Sequence, residues 1–342
     1  MESKECRPLP ENGAHESERD LLAAIAASLL PLRVKSQVIQ AIQMSRCFDT
    51  VREVVDSCLS ATQRQAAQLI LDSARQHGVK VVSLFSSEYP ALLRQSTSPP
   101  FALYLRTERS KGFFDEASLA VVGTRAASVR DCEEARLFAE ALAESGIHVV
   151  SGLALGIDGA AHRGVLGSSR PSSTVAVVAH GLTIVYPPSH TRLAESVVAQ
   201  GGVVVSEYPP GVDARKHQFL ERNRIIAGLV RGVVVFQAGE RSGSLVTARH
   251  AADYGRDVFV YAPRPDDARH AGGRKLAEDG AQVVSSVGEV FEAYGVTQGQ
   301  TSIQEYSAEE FEQAHGLSQA KQLQMELAGR LVRLPSGRIR LL

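Results

Sequence analysis

The run KHQFLERNRIIAGLVRGVVVFQAGERSGSLVTARHAA, residues 216–252, holds the most information about the fold of this 342-residue chain. Its centre, Gly232-Val-Val-Val-Phe236, is apolar at every side chain, the pattern of a strand buried on both faces of a parallel sheet. The strand breaks into the small polar turn Arg241-Ser-Gly-Ser-Leu-Val-Thr247, which opens a helical pattern. A buried strand feeding a Gly/Ser turn and a helix N-terminus presents backbone N–H groups to an anion, which makes Gly243 and Ser244 phosphate-facing candidates. Upstream, Phe219 lies among Lys216, Arg222 and Arg224. Cations beside an aromatic ring suit a ligand that carries both phosphates and bases. The segment reads as a nucleotide or nucleic-acid surface on an α/β sheet.

Working outward, strand and helix patterns alternate. Leu119–Gly123, His148–Ser151, Thr174–Ala179, Gly202–Ser206, Gly232–Gln237 and Val258–Ala262 read as strands, with helical patterns such as Asp131–Ser145 and Ala160–Leu166 between them. This predicts an α/β fold: an extended Rossmann-like, mostly parallel sheet domain over residues 79–295, covered on both faces. Val79–Ser83 reads as a linker strand, followed by proline-rich connections at Tyr89-Pro90 and Ser98-Pro-Pro100. Residues 19–78 repeat apolar positions at i, i+3, i+4 spacing and read as a small helical, SAM-like domain. Residues 1–18 read as a disordered leader without a signal-peptide core, and 303–342 as a reduced winged-helix-like module beyond a hinge at 295–302.

Bulk properties narrow the function. The net charge of −1 creates no global field toward polyanions, so any such site is a local patch. Between Pro209 and Arg231 five cations face two acids, and that excess is such a patch. The four scattered cysteines fit reduced thiols in the cytoplasm, and no apolar run is long enough for a membrane span.

Several strand ends deliver small polar residues to one rim. Gly123-Thr-Arg125 follows the first strand, and Arg125 reads either as an anion contact or as a solvated residue of a tight turn. No G-x-G-x-x-G fingerprint stands there, which disfavours NAD and FAD, and no cofactor is expected. Ser151-Gly152 opens a loop toward Asp158 and His162, four residues apart on one helical face. That pair suits either acid/base work or a structural role in fixing the loop. His162, His180 and His190 lack metal-ligand spacing, so no metal is expected. The C-terminal residues 327–342 carry four arginines and no acid; nucleic-acid contact, protein contact and a solvated role all remain open.

Taken together, these motifs resemble the DNA-processing protein A family (DprA/Smf). The resemblance rests on Tyr89-Pro90, Pro99-Pro100, Val122-Gly-Thr-Arg125, Ser151-Gly-Leu-Ala through Gly156-Ile-Asp158 to His162, and Tyr186-Pro187. It continues with Ser206-Glu-Tyr-Pro209, Phe219 through Arg222-Asn-Arg-Ile-Ile-Ala-Gly-Leu229, Ser242-Gly-Ser-Leu245 and Gly255-Arg256, in the family's order. It implies a non-enzymatic protein that binds single-stranded DNA, protects incoming strands and helps load the RecA recombinase during natural transformation, acting as a homodimer. Carried over position by position, Arg125, Lys216, Phe219, Arg222 and Arg224 are the DNA-contact candidates, with Gly243 and Ser244 at the phosphate-facing turn; Gly123, Ser151 and Gly152, at strand ends on the same rim, complete the DNA- or phosphate-binding candidates. The chain departs from the family pattern at Leu155, where a basic residue is usual, at Gln237, where an acid is usual, and around Arg264 and Arg274. Those two arginines are candidate compensating cations. The alternative function is a nucleotide-binding or phosphoribohydrolase-like Rossmann protein, although the Pro-Gly-Gly-x-Gly-Thr-x-x-Glu loop of those enzymes is missing.

Overall fold

A computed structural model describes residues 17–44, 55, 57–109, 114, 117–169, 174–294, 331–333 and 339–341. The chain forms two compact units, Met1–Val283 and Val284–Leu342.

The first unit is built on a nine-stranded sheet. Its strands are β1 (Lys80–Ser83), β2 (Ala102–Arg106), β3 (Ser118–Val122), β4 (His148–Ser151), β5 (Thr174–Val178), β6 (Val203–Ser206), β7 (Gly232–Val235), β8 (Asp257–Tyr261) and β9 (Gln282–Val284). They lie in the order β1-β2-β6-β5-β4-β3-β7-β8-β9. From β6 to β8 every pairing is parallel, with Leu119 opposite Val149 of β4 in the register and opposite Gly232 of β7. Strands β3 to β7 are buried along their whole length. This explains their continuous valine-rich runs: with helices on both faces, no position faces water and alternation disappears.

The helices between the parallel strands are α5 (Val129–Glu144), α6 (Ile157–Leu166), α7 (Thr191–Ala199), α8 (Gln218–Gly228), α9 (Ser244–Asp253) and α10 (Ala271–Glu278). From β3 the chain steps outward through β4, β5 and β6, then returns to place β7 on the other side of β3. Right-handed crossovers put helices on opposite faces when the direction of travel reverses. Accordingly α5, α6 and α7 pack in a row, while α8 and α9 pack on each other. The reversal makes the carboxyl ends of β3 and β7 the topological switch point, where open α/β sheets leave a crevice.

The antiparallel edge starts at the expected linker strand. Val79–Ser83 contributes β1, which joins the sheet by pairing with β2; β2 in turn pairs antiparallel with β6. The proline-rich stretch between β1 and β2 includes the short helix α4 (Ala91–Arg94) and is held by the buried Tyr89 hydroxyl, which donates to Pro100 O at 2.8 Å. Within the span read as helical lie α1 (Glu18–Ser28), α2 (Leu32–Met44) and α3 (Ala61–Gln76). Ser60 caps α3 by accepting from Gln63 N while Gln63 Oε1 accepts from Ser60 N, a reciprocal box that satisfies two otherwise orphan donors. α1 packs on α3 and on β1, so its alanine-rich face joins the apolar core of the sheet.

The second unit contains α11 (Val287–Ala293), capped by Ser286, and a two-stranded antiparallel ribbon, β10 (Leu331–Arg333) with β11 (Ile339–Leu341). The ribbon falls in the segment read as a reduced winged-helix-like module. Residues 1–16 of the expected leader, the hinge and the rest of that module lie outside the described residues, whereas Ser17 and Glu18, expected in the leader, cap and open α1 because the Ser17 side chain accepts from Asp20 N.

Candidate nucleic-acid interface

At the switch point β3 runs into Gly123, Thr124 and Arg125. Thr124 N donates to Gln237 O at 2.8 Å, joining the ends of β3 and β7. Gly123 is required by packing, because a Cβ there would stand 2.4 Å from Ile157 Cγ1. Gly156, at φ +74°, lets α6 begin directly under the loop; a Cβ there would meet Thr124 O at 2.2 Å. The rigid base leaves Arg125 exposed, and its guanidinium lies over the Phe219 ring, 4.5 Å from the centroid. At that distance a cation is attracted to the negative face of the ring. Phe219 sits in the first turn of α8, half-buried, with Lys216 exposed just before the helix. Beside it is Tyr186, from the loop after β5: the ring centroids are 5.5 Å apart and the planes tilt by 54°. Tyr186 is 44% exposed.

Beneath this surface lies a buried polar network. Arg222, only 4% exposed, donates through Nη1 to Gly152 O at 2.7 Å and to Val177 O, which bridges the ends of β4 and β5. Gly152 N donates to Asp158 Oδ2 at 3.1 Å. A Cβ on Gly152 would fall 2.3 Å from Arg222 Nη1, so only glycine admits the guanidinium. Burial pulls the Arg222 pKa down to about 10, with Asp158 opposing the shift, so the cation survives at neutral pH. Burial likewise raises Asp158, against the pull of Arg222. Ser151 donates to Val121 O at 2.7 Å and is fully buried. Arg224 pairs with Glu207 and donates to Ser98 O at 2.6 Å. Asn223 Nδ2 donates to Gly243 O at 3.1 Å, tying α8 to the turn that starts α9. In that turn Gly243 is exposed, whereas Ser244 is buried with its hydroxyl 2.8 Å from Ser242 Oγ.

The ten residues singled out in the sequence therefore divide. Arg125, Lys216 and Phe219 are on the accessible rim, with Gly123 and Gly243 in its turns. Ser151, Gly152, Arg222, Arg224 and Ser244 form the layer that holds the rim in place. Arg264 and Arg274 are also engaged internally: Arg264 binds Asp131 at 2.7 Å and Glu134 at 2.9 Å, and Arg274 donates to the carbonyls of Arg264 and Asp267. At Gln237, which replaces the family's acid, the side-chain oxygen accepts from Ser128 N at 2.8 Å and anchors the start of α5.

Tyr186 is the rim residue that sequence reasoning did not assign as a contact. It stood only within the Tyr186-Pro187 motif, and nothing local in the sequence links that loop to α8. The Asp158–His162 pair separates in the structure: Asp158 serves Gly152, and His162 Nδ1 lies 2.8 Å from Thr174 Oγ1. The Thr174 hydroxyl donates to Val149 O, so the contact requires Nδ1–H of His162 as donor. Among the described residues no group of three His, Cys, Asp or Glu side chains could hold a metal ion, and no helix is long and apolar enough to cross a membrane.

Full burial holds His162 neutral, with a pKa lowered to about 3. Unfolding returns it to about 6.5, so the unfolded chain takes up the proton first as pH falls. This contribution to stability is complete above pH 6.5 and is lost on acidification toward about 3, at about 1.4 kcal/mol per pH unit. Urea midpoints measured between pH 7 and 4.5 are expected to fall more steeply for the wild type than for His162→Asn. Equal slopes would show that His162 does not carry the effect.

Fold and rim define an extended Rossmann-like α/β protein with a cationic, aromatic surface over its switch point. Residues 60–295 match the family model described as DNA recombination-mediator protein A, and the chain belongs to that family. It is 40% identical to Protein Smf of Escherichia coli over 222 residues, which is 65% of this chain and 58% of that protein. It is 34% identical to the DNA processing protein DprA of Bacillus subtilis over 65% of this chain and 74% of that one. The crystal structure of DNA processing protein A from Streptococcus pneumoniae superposes with a TM-score of 0.65 at 29% identity, covering 82% of this chain and 98% of that one. The DNA processing protein A of Helicobacter pylori, whose structure concerns its binding of single-stranded DNA, gives 0.56 at 27% identity over 63% and 95%. The chain thus spans under three fifths of the Escherichia coli relative's length.

Proposed function

We propose that this protein binds single-stranded DNA along the carboxyl rim of its sheet, without enzymatic activity, and acts as a recombination mediator. The observation that carries this reading is the Arg125 guanidinium over the half-buried Phe219 ring at the switch point. A cation and an aromatic face held together serve one nucleotide at both its ends, phosphate and base, without regard to sequence. Lys216 adds a second free cation, and the exposed Gly243 turn offers backbone approach. Family membership and the single-strand-binding relative support the same reading. In the cell the protein then protects incoming strands and helps load RecA during natural transformation, as a homodimer in the cytoplasm.

The phosphoribohydrolase-like alternative needs a carboxylate free to stabilise a developing sugar cation. At this rim Asp158 is buried against Gly152 and Arg222, and Glu207 is paired with Arg224. Neither of these two carboxylates is available for that role.

Fluorescence anisotropy with single- and double-stranded oligonucleotides at two salt concentrations tests the proposal. Tight single-strand binding that weakens with salt is expected, and Phe219→Ala is expected to lose about 1–3 kcal/mol, the worth of one base–aromatic stack. Equal affinity for duplex, or an unaffected Phe219→Ala protein, would reject this surface. Light scattering across a concentration series tests the dimer, and strand-exchange assays with RecA test the loading role.

A further inference from the structure

We infer that Tyr186 is a second base-stacking ring, and that its tilt against Phe219 makes the rim select single strands over duplex. The inference rests on the single-strand reading above and specifies how that site grips its ligand.

The loop carrying Tyr186 is held firmly. His180, 1% exposed, has Nδ1 3.0 Å from Gly181 O, and its Nε2 accepts from Tyr186 N at 3.2 Å. His180 O accepts from the Ser206 hydroxyl at 2.6 Å, and Gly181 N donates to Val212 O at 2.8 Å. Gly181 sits so close to Pro209 O that a Cβ would come within 2.2 Å of it. The backbone under Tyr186 is thus fixed by buried polar contacts, yet 44% of the residue faces solvent. A ring that served only to cover Phe219 would lose most of its own exposure. A ring positioned by its loop and left open is instead preorganised for a ligand face.

Phe219 already carries Arg125 over its ring, which leaves Tyr186 as the more open aromatic surface of the pair. Two bases lying flat, one on each ring, inherit the 54° between the ring planes. Neighbouring bases of a duplex are parallel and pinned by their complements, so they cannot open to that angle without unpairing. A single strand pays only the unstacking of one step. The two-ring platform therefore accepts consecutive bases of a single strand and rejects the same bases in a duplex.

The test compares wild type, Tyr186→Ala, Tyr186→Phe, Tyr186→Trp and Phe219→Ala, with circular dichroism melts confirming that each is folded. The probes are a fluorescent fifteen-nucleotide dT strand, a base-free strand of equal length, and a duplex. Tyr186→Ala is expected to weaken dT binding by about 5- to 100-fold while Tyr186→Phe keeps it, the range for one stacked base. Binding of the base-free strand and the duplex is expected to stay unchanged, so selectivity falls by the same factor. The chain contains no tryptophan, so Tyr186→Trp supplies a sole indole whose emission is expected to be quenched by dT. Wild-type affinity in Tyr186→Ala and an unquenched indole, beside a weakened Phe219→Ala, would overturn the inference and leave the single-strand reading standing. An equal loss toward the base-free strand would overturn the stacking role. Failure of the wild type to bind dT would overturn both.

Discussion

Arg125→Glu is expected to lower affinity for single-stranded DNA by about 100-fold at low salt while leaving the fold intact. Three effects act in the same direction. The strand loses one cationic contact, the Phe219 ring loses the guanidinium at 4.5 Å, and a carboxylate is placed where a phosphate must approach. The side chain is exposed and the rigid turn beneath it is made by Gly123, Thr124 and Gly156, so the change in folding stability is expected to stay within about 0.5 kcal/mol. Salt titration supplies the sharper readout. For a single strand each lost phosphate contact reduces the slope of log K against log salt by about 0.7. Anisotropy at a series of salt concentrations should therefore show both a weaker and a flatter response in the variant. A weaker response with an unchanged slope would assign Arg125 to the ring alone, and unchanged affinity would remove it from the interface.

Arg222→Met is expected to act in the opposite manner, with its main effect on folding. The guanidinium lies in the interior, bridging the carbonyls of Gly152 and Val177 and facing the buried Asp158. Methionine roughly fills the volume but leaves those carbonyls without this donor and Asp158 without its countercharge. Leaving buried hydrogen-bonding groups without their partner costs about 1–3 kcal/mol each. Urea denaturation should show that loss, and Asp158→Asn in the Arg222→Met background should recover part of it, because the stranded charge is gone. If Arg222→Met instead kept wild-type stability and lost only DNA binding, Arg222 would be a ligand contact and not an internal strut.

The sheet was legible because its strands are buried on both sides. Runs such as Val175-Ala-Val-Val178 and Gly232-Val-Val-Val235 carry no alternation to confuse the reading, and the strand ends fall within two residues of those expected. β2 was harder to see. Ala102-Leu-Tyr-Leu-Arg106 lies behind a run of prolines, and its partners β1 and β6 lie on either side of it in sequence, with β6 about a hundred residues on. At the site, composition identified the cation-rich helix α8 but could not tell which of its arginines face water. Arg222 and Arg224 lie on the helix, whose orientation the long-range packing sets, whereas Lys216 precedes it and stays exposed. Tyr186 became visible only when the loop after β5 was seen beside α8, a meeting that no spacing in the sequence encodes.

The return of the chain to β3 also bears on how the protein is made. β3 is central in the finished sheet, but its neighbour β7 begins about 110 residues later in the chain. At ribosomal rates of roughly 5–20 residues per second, one edge of Ser118–Val122 waits about 5–20 s for its partner. During that interval a strand apolar from Leu119 to Val122 has an open ladder of N–H and C=O groups, the kind of edge that recruits strands from other chains. Arg125 and Phe219 are separated by the same delay. The nascent protein therefore has no assembled rim during the interval in which this strand edge is open.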